Sequence, residues 1–220
     1  MKPSVCLFAY VATVICRPVV DLEDLFTKLN MNSPFTFTST YSIRVEPRAV
    51  VDNNNTLTGG LEGVSGMFNF GINSLENVIC YNLTLDGFRG EFKSPANTAT
   101  HIHQAAVNRA GPPRCVAAAR HDSSCNKRNR STQVLLTRTQ KRIAFPNPEG
   151  EENGRRTSVG CLRGPFVTGV KTSDGSEKDT GEGFDVRQIE EDPSQFFTDV
   201  HSSLAPAGAV RGQLDSGNNC

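Results

Sequence analysis

Short stretches of alternating apolar and polar residues recur along the chain, separated by turn-forming residues. The clearest is 77–85 (NVICYNLTL), where one face carries Ile, Tyr and two Leu side chains. A period of two is typical of a half-buried β-strand. A short helix is expected at 184–191, ended by Pro193. Further strands are expected at 35–45, 98–104, 166–170, 195–202 and 209–214.

Many short strands, turns rich in Gly, Pro and Asn, and little helix favour an all-β fold. We expect an antiparallel, Greek-key-like β-sandwich with one or two short helices and long loops. The length of 220 residues suits one domain with extensions. Strands and turns within 17–76 are expected to pack on that domain, and 215–220 is predicted to be a C-terminal tail.

The N-terminus has the pattern of a signal peptide over residues 1–16. Lys2 precedes an uncharged apolar run at 5–15, which is too short to cross a hydrocarbon core of about 30 Å as a helix. Val14 and Cys16 are small enough for the cleavage positions. The alternative is a buried N-terminal strand or helix. The mature protein is expected to be secreted and extracellular, without a membrane anchor.

Removal of that peptide would leave five of the seven cysteines. An odd number means that one thiol is free, pairs between chains or belongs to a poorly ordered segment. No C-x-x-C pair occurs, so a zinc knuckle is not indicated. Cys80 and Cys161 stand at strand-like positions and are predicted to pair, which would stabilise the fold by roughly 4–5 kcal/mol in the chain-entropy model. The alternative is two buried free thiols.

Three sequons are candidates for N-glycosylation in a eukaryotic secretory pathway. They are the N-N-T, N-L-T and N-R-S patterns at Asn54, Asn82 and Asn129.

Charge is balanced overall but unevenly distributed. The formal net charge of +0 argues against a nucleic-acid or membrane-surface binder. Basic residues are concentrated in 115–142, which we expect to be a disordered insertion, because joining Arg114 to Ile143 would give an ordinary Pro/Gly loop. Translation of an unspliced intron is one origin for it, and a processing loop cut at Lys141-Arg142 is another. A heparin or nucleic-acid patch ranks third because no aromatic residues interleave with the charges.

His101-Ile102-His103 is the sharpest candidate for chemistry. On a strand, residues i and i+2 lie on one face about 7 Å apart. That arrangement can chelate Zn²⁺ or Cu²⁺ if a third ligand arrives from another strand, and His201 in V-H-S is the natural candidate. Alternatively, these histidines hydrogen-bond the backbone or each other across strands.

Patterns of enzymatic chemistry are missing from the sequence. There is no G-x-S-x-G, H-E-x-x-H or P-loop motif. An H-x-H pair on a β-sandwich is similar to copper/zinc superoxide dismutases, but the four histidines cannot supply the further ligands of that dinuclear site. No catalytic residues are therefore expected, and no cofactor other than a single Cu or Zn ion.

Three segments occur in the order and spacing of a known domain. They are YNLTLDGFRGEF with ATHIHQAA, then FFTDVHSS, then PAGAVRGQL. Together they make 77–214 resemble a CHRD (chordin-type) domain, although Ala207 and Ala209 stand where the family usually has Gly and Glu. Such domains are found in secreted proteins, including chordin, where they accompany growth-factor binding. The resemblance implies a non-enzymatic binding or structural module whose partner is an extracellular protein or a wall or matrix component.

Overall fold

Two antiparallel β-sheets make up the fold in the computed structural model, which describes residues 35–110, 140–172 and 177–215. The strands of these ranges are, in chain order, β1 (Ser39–Val45), β2 (Ser65–Asn73), β3 (Val78–Asp86), β4 (Thr100–Gln104), β5 (Gln140–Phe145), β6 (Glu149–Gly150), β7 (Arg155–Arg163), β8 (Phe196–Ser202) and β9 (Ala205–Gln213). The helices are α1 (Arg187–Glu191) and two 3-10 turns, Pro47–Ala49 and Pro193–Gln195.

The strand order produces a sandwich with crossovers between its layers. One sheet has the order β1-β2-β3-β7-β6 and the other β5-β4-β8-β9. The chain therefore leaves the first sheet after β3, returns to it for β6 and β7, and ends in the second sheet. The expected all-β sandwich with little helix is confirmed.

Apolar side chains from both sheets form one core. In β3 the alternation buries Ile79, Tyr81, Leu83 and Leu85 on the inner face. Phe145 of β5 joins the layers, because its ring centroid lies 5.1 Å from that of Tyr81 and 5.5 Å from that of Phe70. Further core residues of the two sheets are Ile43, Phe68, Ile72, Ile102, Ile143, Phe196, Val200 and Val210.

The predicted pairing of Cys80 with Cys161 is confirmed, since a disulfide joins them across 81 positions of sequence. The two residues stand directly opposite each other on β3 and β7. They lie on the outer face of the first sheet, where Cys161 is exposed. The bond therefore links the two central strands of this layer from outside the core.

The strand predicted at 166–170 is wrong. The backbone N–H groups of Thr168 and Gly169 donate to the Asp179 carboxylate, at 2.9 and 2.7 Å, instead of to a neighbouring strand. Thr168 is fully buried in this loop. The Asp179 carboxylate, from the same loop, takes the place of a partner strand. The sequence of 166–170 does not show whether its backbone will bond to a strand or to a side chain.

The predicted insertion at 115–142 extends too far. Residues 140–142 belong to β5, with Lys141 opposite His103 on β4. Lys141 is buried, and its Nζ donates to Ser94 Oγ at 2.6 Å. A buried Lys made this strand resemble a basic loop in the sequence. Residues 115–139 lie outside the described ranges.

Candidate metal centre

Four side chains that can bind a metal converge on the outer face of the second sheet. Alternation along β4 sends Ile102 into the core and both His101 and His103 to the opposite face. On the neighbouring strand β8, Asp199 is directly opposite His101, and His201 follows two residues later on the same face. The predicted trio of histidines is thus brought together, with an aspartate in addition.

The cluster is withdrawn from solvent. His101 is fully buried, His103 is 3% exposed and Asp199 is 5% exposed, whereas His201 is partly buried. An exposed group of such residues is ordinary, but polar side chains this deeply buried need partners.

The spacing of the ligand atoms fits a single ion. Asp199 Oδ1 lies 3.5 Å from His101 Nδ1 and 3.2 Å from His103 Nε2, and Asp199 Oδ2 lies 3.1 Å from His201 Nε2. A tetrahedral zinc site with bonds of about 2.0–2.1 Å has edges of about 3.3 Å between its ligand atoms. One candidate ligand atom from each of the four residues falls within 4.8 Å of all the others.

Backbone carbonyls fix two of the imidazoles. His101 Nε2 lies 2.6 Å from the Thr98 carbonyl oxygen, and His201 Nδ1 lies 3.0 Å from that of Pro206. Since a carbonyl only accepts, these nitrogens carry the hydrogen. In a neutral ring the other nitrogen then carries a lone pair, and in both histidines this nitrogen faces an Asp199 oxygen.

Acceptors therefore face acceptors at the centre of the cluster. Within the part of the chain that the structure describes, five buried atoms of the cluster have no hydrogen-bond partner: His101 Nδ1, both ring nitrogens of His103, His201 Nε2 and Asp199 Oδ1. Such an arrangement requires a cation between the acceptors, either a proton or a metal ion. A histidine that ligates a metal through one ring nitrogen usually donates a hydrogen bond from the other, and a backbone carbonyl is a common acceptor.

A comparison with protein-family models matches residues 47–214 to the CHRD domain. The chain belongs to the CHRD-domain family. No curated protein and no solved structure matches it. The match begins earlier than the expected start at 77 and includes β2, which pairs with β3 in the first sheet.

The CHRD match covers all four residues of the cluster and both disulfide cysteines. CHRD domains occur in extracellular proteins, and a disulfide is in keeping with an oxidising compartment. Among the described residues, no helix is long and apolar enough to span a membrane.

Electrostatics favour the protonation state that a metal needs at His101, His103 and Asp199, and oppose it at His201. Burial lowers the pKa of His101 to about 4, against the opposing effect of Asp199, and burial also lowers the pKa of His103. Burial acts to raise the pKa of Asp199, but the charges of His103 and His201 outweigh it and hold that pKa well below its usual value. Burial likewise acts to lower the pKa of His201, but Asp199 reverses the effect and the pKa is raised. Neutral imidazoles and an ionised carboxylate are metal ligands.

Sequence reasoning missed Asp199, which this CHRD domain places at the centre of the site. The signal was present, because D-V-H on β8 repeats the i, i+2 spacing of H-I-H on β4. Of the FFTDVHSS segment, the predicted ligand set contains His201 alone. A search for acids two residues from a candidate histidine on the same strand would have found it.

None of the other predicted site residues that the structure describes is part of the metal cluster. Asn54 is exposed in a turn, and Asn82 is exposed on the outer face of β3. Asn129 lies outside the described residues, as do the predicted signal peptide with its two cysteines and Cys115, Cys125 and Cys220. Lys141 and Arg142 are part of β5 and not of an open loop, so cleavage between them would require this strand to detach from β4 first.

Proposed function

We propose that this protein is a secreted, non-enzymatic CHRD module that holds one divalent metal ion, Zn²⁺ or Cu²⁺, at His101, His103, Asp199 and His201. The observation that carries the proposal is the orientation of two imidazoles. The Thr98 and Pro206 carbonyls hold His101 and His201 with their remaining ring nitrogens directed at the Asp199 carboxylate.

A metal satisfies this cluster better than protons do. Protonating both carbonyl-held imidazoles would place two charged rings beside one carboxylate, in a layer that also buries Lys141 and Arg211. A single ion accepts lone pairs from all three imidazoles and the carboxylate at once. Imidazole with carboxylate suits zinc and copper, and near-tetrahedral spacing favours zinc.

The bound ion would act as a structural link. Two of its ligands come from β4 and two from β8, so that it joins adjacent strands from the outer face of the second sheet. Among the described residues, these four form one mononuclear ligand group. A closed four-ligand site stabilises a fold, whereas a catalytic zinc site keeps a position open.

Three features support secretion and a role outside the cell. The N-terminal sequence has the pattern of a signal peptide, the Cys80–Cys161 disulfide suits an oxidising compartment, and CHRD domains occur in extracellular proteins. The proposed partner is an extracellular protein or a wall or matrix component.

Metal analysis of the purified protein tests the proposal. After reconstitution and removal of free metal, we expect about one equivalent of bound Zn²⁺ or Cu²⁺ per chain. Asp199→Asn should reduce the metal affinity by roughly tenfold to a hundredfold or more. A loss of that size follows removal of a residue that supports the ligands.

The matched control is Asp86→Asn. This is the same substitution at a partly exposed carboxylate that pairs with Arg155 far from the cluster. It should leave the metal content unchanged. Less than roughly a tenth of an equivalent in the folded, reconstituted wild-type protein would contradict the proposal, since a preformed site of this type binds tightly.

A further inference from the structure

An open cleft of about 310 Å³ borders the candidate metal centre. His103, Asp199 and His201 line it, together with the cationic side chain of Arg211. Asp52, Phe197 and the turn at 206–208 form further parts of its wall. The volume is at the small end of the range for ligand pockets, which suits a ligand of a few heavy atoms.

Arg211 is held rigidly beside the metal cluster. It stands directly opposite Asp199 on β9 and is 4% exposed. Its guanidinium carbon lies 3.5 Å from the ring centroid of Phe197. That ring stacks in turn on His103, with centroids 4.9 Å apart and planes 7° apart. A three-layer stack therefore connects the guanidinium to a candidate metal ligand.

Part of the guanidinium is available to a ligand. Nη2 donates to the Ala106 carbonyl oxygen at 3.1 Å and to Gln213 Oε1 at 3.4 Å. Nε and Nη1 make no hydrogen bond to any residue within 37–110, 140–172 or 177–215. Nε and Nη1 lie on different edges of the guanidinium, so either can donate one charge-assisted hydrogen bond to a carboxylate oxygen.

The charge of this layer also calls for an anion. Lys141 and Arg211 are both buried there, with Asp199 as the buried acid that faces them. A divalent ion would add two positive charges, and buried charge that is not compensated is costly. Asp52 is the second acid of the cleft, but its Oδ1 is already engaged by the N–H groups of Asn54 and Thr56.

From this geometry we infer that the cleft binds a small carboxylate, held by the free donors of Arg211 on the side where the metal centre opens into the cleft. The inference rests on the proposed metal site and names the class of ligand that the site would recruit. The carboxylate belongs either to a small free acid or to an acidic side chain of a partner, and the chemistry of recognition is the same.

Acetate binding to the Co²⁺-loaded protein tests the inference. Co²⁺ occupies zinc sites, and its visible spectrum changes when the groups around the ion change. The spectrum therefore reports metal occupancy first and anion binding second. We expect a saturable spectral change on acetate titration. Arg211→Met should weaken acetate binding roughly tenfold to a hundredfold, and Arg211→Lys should weaken it less.

Lys141→Met is the matched comparison, because it removes another buried cation whose Nζ is bound to Ser94 and which does not line the cleft. It should change acetate affinity by less than about threefold if the hydrogen-bond donors of Arg211, and not charge alone, hold the anion. Arg211→Lys keeps the test decisive if Arg211→Met does not fold.

The outcomes separate this inference from the proposal on which it rests. Failure of the folded protein to bind Co²⁺ would overturn both. Cobalt binding without any acetate response would overturn the inference alone, as would unchanged acetate affinity in the Arg211 variants or an equal loss in Lys141→Met. A capped peptide with one Glu that binds as tightly as acetate, and depends equally on Arg211, would place the carboxylate on a partner chain.

Discussion

At the scale of single residues, Asp199 determines the character of the site. It is buried and contacts three imidazoles through two oxygens, with its pKa well below the usual value because the charges of His103 and His201 outweigh the effect of burial. Removing one partner from a buried ionic cluster leaves the others uncompensated. Asp199 should therefore matter to stability as well as to metal affinity.

We predict that Asp199→Asn lowers the free energy of unfolding by about 3–5 kcal/mol at neutral pH. Urea denaturation followed by circular dichroism measures it. Asp86→Asn, which breaks an exposed pair with Arg155, should cost less than about 1 kcal/mol. Equal effects of the two variants would show that the buried cluster does not stabilise the fold.

At the scale of elements, the segment RGQL at the end of β9 contributes to both faces of the second sheet. Arg211 and Gln213 face outward to the cleft and its surroundings, while Leu214 enters the core. Between them, Gly212 lies where β9 meets β1: an added Cβ would come within 2.5 Å of Ile43 Cγ2 and 2.7 Å of the Arg44 carbonyl oxygen. The resemblance of this segment to the family pattern thus has a packing reason.

Gly212→Ala should destabilise the protein by about 1–3 kcal/mol, because the close approach of β9 to β1 leaves no room for a methyl group. Gly154→Ala is the control, since its Cβ would come no closer than 3.3 Å to a neighbouring atom. Thermal unfolding of the two variants measures the difference. A Gly212→Ala protein as stable as Gly154→Ala would contradict this account of the contact.

Asp179 organises the loop that replaces the predicted strand at 166–170. Burial acts to raise its pKa, but hydrogen bonds from the backbone of Thr168, Gly181 and Gly169 outweigh it, so the pKa is lowered. A group with a lowered folded-state pKa stabilises the protein above its unfolded pKa and loses that contribution as the pH falls through its folded value.

We therefore expect Asp179→Asn to destabilise the protein by about 1 kcal/mol at pH 7 and by a smaller amount near pH 3. Comparison of urea midpoints for wild type and variant at the two pH values measures it. A difference that stays constant with pH would mean that the charge of Asp179 does not hold the loop.

At the scale of the whole molecule, the two sheets are stabilised from their outer faces by different means. The disulfide crosses the outer face of the first sheet, whereas the metal cluster lies on the outer face of the second. Since one core lies between them, we expect the two devices to act independently.

Replacing both cysteines with Ala should lower the free energy of unfolding by about 2–5 kcal/mol, because the unfolded chain regains the freedom of a loop of about eighty residues. The folded variant should still bind its metal in full. Denaturation and metal analysis of the same preparation measure both. Loss of metal from the folded variant would contradict independence.

Periodicity was enough to predict the sandwich, because β1 and β3 alternate apolar and polar residues. It failed for β5, where buried Lys141 reads as a charge, and for β7, whose inner face carries small and polar residues while Val159 is exposed. In each case the neighbouring strand supplies the pairing, and no local pattern records which strand is the neighbour.

The candidate site was partly predictable for the same reason. The i, i+2 spacing placed His101 and His103 on one face, but the register between β4 and β8 brought Asp199 opposite His101. Register depends on pairing across about a hundred residues of sequence. The carbonyls of Thr98 and Pro206 belong to turns whose conformation the side-chain pattern does not specify.

The central claim is that His101, His103, Asp199 and His201 hold one metal ion. A crystal structure of the zinc-reconstituted protein, with anomalous data collected on both sides of the zinc edge, tests it most directly. We predict one strong anomalous peak, about 2.0–2.2 Å from His101 Nδ1, His103 Nε2, His201 Nε2 and an Asp199 carboxylate oxygen. An ordered cluster without such a peak, or a zinc ion bound elsewhere on the protein, would contradict the claim.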